Sequence, residues 1–218
     1  MNTKLLAEGL SALGLGLEED ARSRLSRYVA AIEEWNPAYG LVGSSGDELI
    51  VKHILDSLAP LALLDRFAAS LPATRGISLV DLGTGAGLPG IPLAIARPNW
   101  SVTLLDRMTR RINFLKAMKG ELSLSNAAIV EEQVERAKGN YDIVTFRAFR
   151  PFERKLFKKV FGVCSPEGFV AAYKGKADKA QSELSEIEGL YVDAQILPVS
   201  VPFLEGERCL VVMRPARR

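Results

Sequence analysis

The residues best suited to chemistry in this 218-residue sequence form one run, Val80-Asp81-Leu82-Gly83-Thr84-Gly85-Ala86-Gly87-Leu88-Pro89-Gly90. The apolar segment ISLVDL leads into it, so a strand enters a glycine-rich turn that opens a helix. Gly83 and Gly85 let the backbone bend tightly and leave room for a ligand to lie against it; Gly87 extends the same turn. Pro89 suits a first helical turn, where its missing N–H costs nothing. Open α/β sheets bind nucleotides in loops of this kind, at the carboxyl ends of their strands. Asp81, just before the turn, can face the ammonium of a methionine moiety. Asp106, twenty-five residues further on at the end of SVTLLD, can accept both ribose hydroxyls of an adenosine. Together these groups predict an S-adenosylmethionine site.

A rival reading uses the same glycines. Gly85-Ala-Gly87-Leu-Pro-Gly90 also satisfies the dinucleotide pattern G-x-G-x-x-G, with Asp106 where its ribose acid belongs. The carboxylate of Asp81 argues against it, because an acid beside a pyrophosphate is repelled, whereas beside an ammonium it is attracted. The acceptor is narrowed by what the sequence lacks. No Asp/Asn-Pro-Pro-aromatic run for exocyclic amines is present, and neither Cys164 nor Cys209 sits in a context that suggests a nucleophile for pyrimidine carbon methylation. A purine ring nitrogen carries its own lone pair and needs neither device; alignment supplies much of the catalysis.

The elements that must position these groups can be read on either side of the turn. Leu25, Tyr28, Val29, Ile32 and Trp35 form one apolar helical stripe, which Asn36-Pro37 should end. After Gly43-Ser44-Ser45-Gly46 a further helix carries Leu49, Ile50, His53, Ile54, Ser57 and Leu58. From Ile77 strand-like runs alternate with helices that begin near Pro89, Thr109, Pro151 and Ala177, the rhythm of βαβ units. YVDAQILPV and RCLVVMRP then follow each other across a short connection, as antiparallel strands do. The predicted fold is α/β: a mostly parallel, seven-stranded, Rossmann-like methyltransferase sheet ending in an antiparallel hairpin. Residues 1–72 read as a helical extension and 73–218 as the methyltransferase core. Met108 and Met118 read as core filler, and His53, the sole histidine, as a packed helix residue bonding to a neighbour.

Composition excludes disorder and predicts a cytoplasmic enzyme: 48% of residues are apolar and 25% charged, no apolar run is long enough for a bilayer, and no Cys/His spacing suggests a metal. The net charge of +2 is unevenly placed. Residues 1–105 hold eight Lys/Arg and eleven Asp/Glu, whereas 106–218 hold twenty and fifteen. The basic residues of the later half cluster as Arg107, Arg110 and Arg111; Arg147, Arg150, Arg154, Lys155, Lys158 and Lys159; Lys174, Lys176 and Lys179; and Arg214, Arg217 and Arg218. Such clusters form either a phosphate-facing stripe or an ordinary solvated face. On the residues alone an RNA methyltransferase, a small-molecule methyltransferase and a nucleotide-binding protein without turnover all stay open.

Several ordered motifs together resemble one family. They are His53-Ile-Leu-Asp56-Ser57-Leu58, the turn from Asp81 to Gly90, Leu104-Leu-Asp106 with Arg110-Arg111-x-x-Phe114-Leu115, Tyr141-Asp142-x-x-x-x-Arg147-Ala-Phe149, Lys174-Gly175 and Gly206-Glu207-Arg208. From Trp35 to Val212 the chain is similar to the RsmG family, formerly glucose-inhibited division protein B, whose members methylate N7 of a guanine in small-subunit ribosomal RNA. The resemblance implies that Gly83, Leu88, Val134, Glu135 and Arg147 touch the donor and that Arg147, the candidate catalytic residue, bridges donor and RNA. It also implies that Lys174 and Arg208 face the RNA, with the small ribosomal subunit or its RNA as partner; the composition already predicts no membrane or metal partner. The chain departs from the family at Gly40-Leu41-Val42, usually Asn-Leu-Thr, at Gln133, commonly arginine, and at Arg107, usually a small residue.

Overall fold

A computed structural model describes residues 2–72, 76–148 and 150–216; Phe149, Arg217, Arg218 and the expected boundary at residue 73 lie outside them. The helical entry consists of α1 (Thr3–Ala12), α2 (Glu19–Tyr39), α3 (Gly46–Leu49), a π-helical turn (Ile50–Leu55), α4 (Asp56–Leu58) and α5 (Leu61–Ala68). Then follow β1 (Ser78–Leu82), α6 (Gly90–Ala96), β2 (Ser101–Asp106), α7 (Thr109–Glu121), β3 (Ala127–Glu131), a 3-10 turn (Val134–Arg136), β4 (Tyr141–Arg147), α8 (Arg154–Gly162), β5 (Cys164–Lys174), α9 (Ala177–Glu186), β6 (Tyr191–Pro198) and β7 (Cys209–Pro215).

The seven strands lie in the order β3-β2-β1-β4-β5-β7-β6. The pairs among the first five are parallel and those made by β7 are antiparallel, so the expected terminal hairpin is present. Strand order reverses between β1 and β4, and the crevice at such a reversal is where ligands enter doubly wound sheets.

Alternation along the strands divides the core between two faces. Leu79, Leu104, Phe169, Ala171 and Leu210 pack with the helical entry, α6 and α7. Val80, Leu105, Val144, Phe146, Val170 and Val211 pack with α8 and α9. Both faces of β1 are therefore covered, and its carboxyl end is left to carry the site.

Two expectations require correction. Helix α2 does not stop at Asn36-Pro37; it runs through Pro37 to Tyr39 and ends at Gly40 in the left-handed conformation, φ 57°. The proline falls in the last turn, where few hydrogen bonds remain to be lost. There the Asn36 side chain accepts from the Leu41 and Val42 N–H groups and donates to the Val42 carbonyl. Met118 is core, but Met108 is 41% exposed, because it precedes α7 on the open carboxyl end of the sheet rather than beneath it.

Candidate active site

The glycine turn is built as its composition demands. Gly83, Gly85 and Gly87 all have positive φ (66°, 62° and 94°). The turn is held from three sides. The Tyr28 hydroxyl donates to the Ala86 carbonyl at 2.6 Å from helix α2. Asp81, fully buried, accepts through Oδ2 from Thr84 Oγ1 at 2.5 Å and from the Gly90 N–H at 2.8 Å. Asp106 accepts through Oδ2 from the Gly85 N–H at 2.9 Å and through Oδ1 from the Met108 N–H at 2.9 Å.

The two acids differ in what remains free. Burial pushes the Asp81 carboxyl up to about 6, against the hydrogen bonds from Thr84 and Gly90, and its Oδ1 atom has no hydrogen-bond partner. A buried carboxylate oxygen without a donor is costly unless a cation or donor is supplied. Asp106 keeps lone pairs beyond its internal bonds, with Arg111 Nη1 also 3.3 Å away. It lines a cavity of about 210 Å³ with Gly83, Leu105, Arg107, Glu132, Val134 and Glu135. Gly83, Asp106, Val134 and Glu135 are thus brought together. Leu88 is instead 5% exposed in the core. Gly87 packs closely on Ile91 and Leu115. Glu135 pairs with Arg150 at 3.1 Å across the rim.

Arg147, Lys174 and Arg208 line a second, larger cavity of about 600 Å³, with Lys52, Lys176 and Lys179 adding positive charge. Ala148 lines both cavities, and it is one of the non-glycine residues with positive φ, 49°. Backbone strain of this kind persists where surrounding structure enforces it, often at functional sites. The rings of Phe146, Phe152 and Phe157 contact one another beneath it, Phe152–Phe157 at 4.4 Å, and so fix the end of β4.

The sequence suggested for His53 only packing and a bond to a neighbour, and no role for Lys52 or Asp56; these three hold Arg147. The Asp56 N–H bonds the Val51 and His53 carbonyls instead of that of Lys52. Nη1 of Arg147 then donates to the Lys52 carbonyl at 2.9 Å and to Asp56 Oδ2 at 2.8 Å, and Nη2 meets His53 Nδ1 at 2.8 Å. The other Asp56 oxygen accepts from Arg208 Nε at 2.9 Å. A guanidinium can only donate, so Nδ1 of His53 is an acceptor and its ring proton sits on Nε2. Burial, reinforced by the Arg147 charge, holds His53 down at about 4, so the ring is neutral at physiological pH. Departures from α-helical bonding are frequent at functional sites, and this π turn sits where Arg147 is gripped.

Lys174 also reaches the larger cavity, but its ammonium is paired with Glu183 and stands 4.1 Å from the Phe152 ring centroid. Arg208 spends Nε on Asp56 and Nη1 on the Glu207 carbonyl. Both residues expected to face RNA are therefore at the cleft, each with part of its donor capacity already used inside the protein. No group of three or more His, Cys, Asp or Glu among the described residues is placed to hold a metal, and no described helix is long and apolar enough to cross a membrane.

A family model for rRNA small subunit methyltransferase G, GidB, matches residues 21–211. This chain belongs to that family. Curated family members are similar over nearly their whole length. The ribosomal RNA small subunit methyltransferase G of Klebsiella pneumoniae (strain 342) is 36% identical over 216 residues, 98% of each chain. That of Nitrosomonas eutropha is 38% identical over 219 residues, 97% of this chain and 96% of the other. Among solved structures, a putative S-adenosyl-L-methionine-dependent methyltransferase from Methanococcus maripaludis matches with a TM-score of 0.59 at 16% identity, covering 87% of this chain and 93% of that one. A magnesium protoporphyrin IX methyltransferase from Synechocystis PCC 6803 with bound SAM matches with a TM-score of 0.57 at 15% identity, over 86% and 97%. At these identities the likeness is one of fold, and GidB-family membership rests on the sequence relatives. Of the positions expected to depart from the family pattern, Arg107 lines the smaller cavity and Gln133 precedes the 3-10 turn that carries Val134 and Glu135.

Proposed function

We propose that this chain transfers the methyl group of S-adenosylmethionine to N7 of a guanine in small-subunit ribosomal RNA. The observation that carries this reading is the pairing of two cavities that share Ala148: a small one walled by the glycine turn and Asp106, and a large one rimmed by Lys and Arg.

The residues fit the donor. The unpartnered Oδ1 of Asp81 suits an ammonium, and the same carboxylate would repel a dinucleotide pyrophosphate. Nothing but the Gly83 carbonyl, at 3.9 Å, lies within 4 Å of a Cβ built at Gly85, so the space above this turn is free for a ligand. Asp106 would accept from ribose hydroxyls, Val134 and Glu135 would flank the adenine, and Gly83, Gly87 and Leu88 shape the loop. When bound, the donor supplies a methyl group on a sulfonium. The N7 lone pair forms the new bond as the sulfur–methyl bond breaks, so no general base is needed.

The purine takes up the positive charge that the sulfonium gives up, and a bare arginine nearer the purine would oppose that transfer. Asp56, shared between Arg147 and Arg208, offsets part of this charge while fixing the direction of Arg147, and positioning at the boundary between the cavities is the role assigned to Arg147. Lys174 and Arg208, with Lys176 and Lys179, would meet the RNA backbone. Incubating the protein with methyl-labelled S-adenosylmethionine and total ribosomal RNA, then mapping the label, tests the assignment. Label at N7 of one guanine of the small-subunit RNA is the expected result; label on a small molecule alone would overturn it.

A further inference from the structure

Helix α8 presents a surface that the two cavities do not use. Its sequence, RKLFKKVFG, buries Leu156, Phe157, Val160 and Phe161 and exposes Arg154, Lys155, Lys158 and Lys159. The exposed four recur at i, i+1, i+4 and i+5, which is a single face of a helix.

This arrangement works against the helix that carries it. Arg154–Lys158 and Lys155–Lys159 are like-charged pairs one turn apart, and such pairs destabilise a helix. Arg154 and Lys155 also fall in the first turn, where the helix dipole favours acids, and that turn contains none. Four helix cations elsewhere have an acid one turn away, Lys4 with Glu8, Arg22 with Glu19, Arg24 with Asp20 and Lys52 with Glu48, whereas α8 offers its four none. Among the described residues Lys155, Lys158 and Lys159 form no ion pair, and Arg154 meets only the Glu188 carbonyl.

The helix is rigidly referred to the site. Phe157 packs on Phe146, the residue before Arg147, at 5.9 Å between ring centroids. Pro151, three residues before the helix, lines the larger cavity. The exposed Arg136 belongs to the 3-10 turn against which α8 packs, the turn that brings Val134 and Glu135 to the smaller cavity. The charged face thus begins at the rim of the cleft and leads away from it.

We propose that the Arg154/Lys155/Lys158/Lys159 face of α8 is a docking surface for the sugar–phosphate backbone of RNA flanking the target base. This rests on the reading of RNA as the acceptor. An uncompensated row of cations on a fixed helix fits a polyanion through counterion release, without reading sequence.

The test compares wild type with a triple variant, Lys155→Gln, Lys158→Gln and Lys159→Gln, and with a control, Lys4→Gln, Lys116→Gln and Lys119→Gln, of equal charge loss. Binding to labelled small-subunit ribosomal RNA is measured at several salt concentrations, beside melting temperature and steady-state methyl transfer. For three lost phosphate contacts the slope of log affinity against log salt should flatten by about two to three units. KM for RNA should rise at least about tenfold, with kcat, S-adenosylhomocysteine affinity and melting temperature unchanged or, for the last, raised by the relieved repulsion. An unchanged slope and KM, an equal effect of the control triple, or a lowered melting temperature would each overturn the surface. Failure of wild type to bind ribosomal RNA at any salt concentration would overturn the RNA reading itself, and the surface with it.

Discussion

The two oxygens of Asp56 are divided between two arginines: Oδ2 accepts from Arg147 at 2.8 Å and Oδ1 from Arg208 at 2.9 Å. One carboxylate therefore joins the residue assigned to the donor boundary with a residue assigned to the RNA side. Its side chain is 8% exposed and that of Arg147 13%, so removing the acid leaves a cation in a poorly solvated place. Breaking such a pair costs about 3 to 5 kcal/mol. Asp56→Ala is expected to lower the melting temperature by roughly 10 °C, at about 2 to 4 °C per kcal/mol for a chain of this size. Calorimetric melts of the variant check this, and an unchanged melt would show that Asp56 anchors nothing.

Arg147 and Arg208 should separate kinetically. Arg147→Lys keeps the charge but cannot reach the Lys52 carbonyl, Asp56 and His53 together. Its kcat at saturating RNA should fall about a hundredfold, as misplacement of a positioning group does. Arg208→Ala should leave donor affinity nearly unchanged and flatten the salt dependence of RNA binding by at most about one unit, because Nε and Nη1 are already spent inside the protein. Equal effects of both variants on KM alone would remove the distinction.

Asp81 sets a pH dependence whose sign can be worked out. In the fold its carboxyl titrates at about 6 rather than 3.8, so the folded state keeps a proton that the unfolded chain releases, and this group lowers stability as pH rises from about 4 to 6. A ligand ammonium favours the ionised form. Affinity for S-adenosylhomocysteine should then be level above about pH 7 and about tenfold weaker at pH 5, where roughly one carboxyl in ten is ionised. Isothermal titrations across this range are expected to show the fall in wild type and a flat, weak response in Asp81→Asn.

Neighbouring glycines should fail in different ways. A Cβ at Gly87 would lie 2.5 Å from Ile91 Cδ1 and 3.1 Å from Leu115 Cδ2, so Gly87→Ala should destabilise the fold by overpacking, about 1 to 3 kcal/mol, in addition to the strain of its positive φ. At Gly85 a Cβ meets no such obstacle. Gly85→Val should leave a folded protein, weakened chiefly by backbone strain, that no longer binds the donor. Titration with S-adenosylhomocysteine and thermal melts of both variants would distinguish the two, and normal donor binding by Gly85→Val would remove the turn from the site.

What could be read from the sequence was local. The turn from Asp81 to Gly90, the strand ending at Asp106 and the terminal hairpin each announce themselves within about a dozen residues, through glycine placement and apolar periodicity. The grip on Arg147 could not be read this way, because Asp56 and Arg147 are 91 residues apart and Asp56 and Arg208 are 152 apart. Nor does any periodicity mark the π turn that frees the Lys52 carbonyl. Pro37 misled because the rule for proline concerns helix interiors, whereas Asn36 caps the end that Pro37 would have broken. Charge clusters pointed to the later half of the chain, but not to which cations are already neutralised: Lys174 is matched by Glu183, while Lys158 stands alone.

The bond from Tyr28 to Ala86 reaches from the middle of α2 into the loop between Gly85 and Gly87. A loop tethered in this way cannot open without disturbing the helix, and the helix cannot unravel without releasing the loop. In hydrogen exchange the amides of α2 and of residues 83–90 should consequently behave as one cooperative unit, both slowed together when the donor analogue binds. The N-terminal helices, remote from any reacting atom, would then register whether the methyl donor is in place.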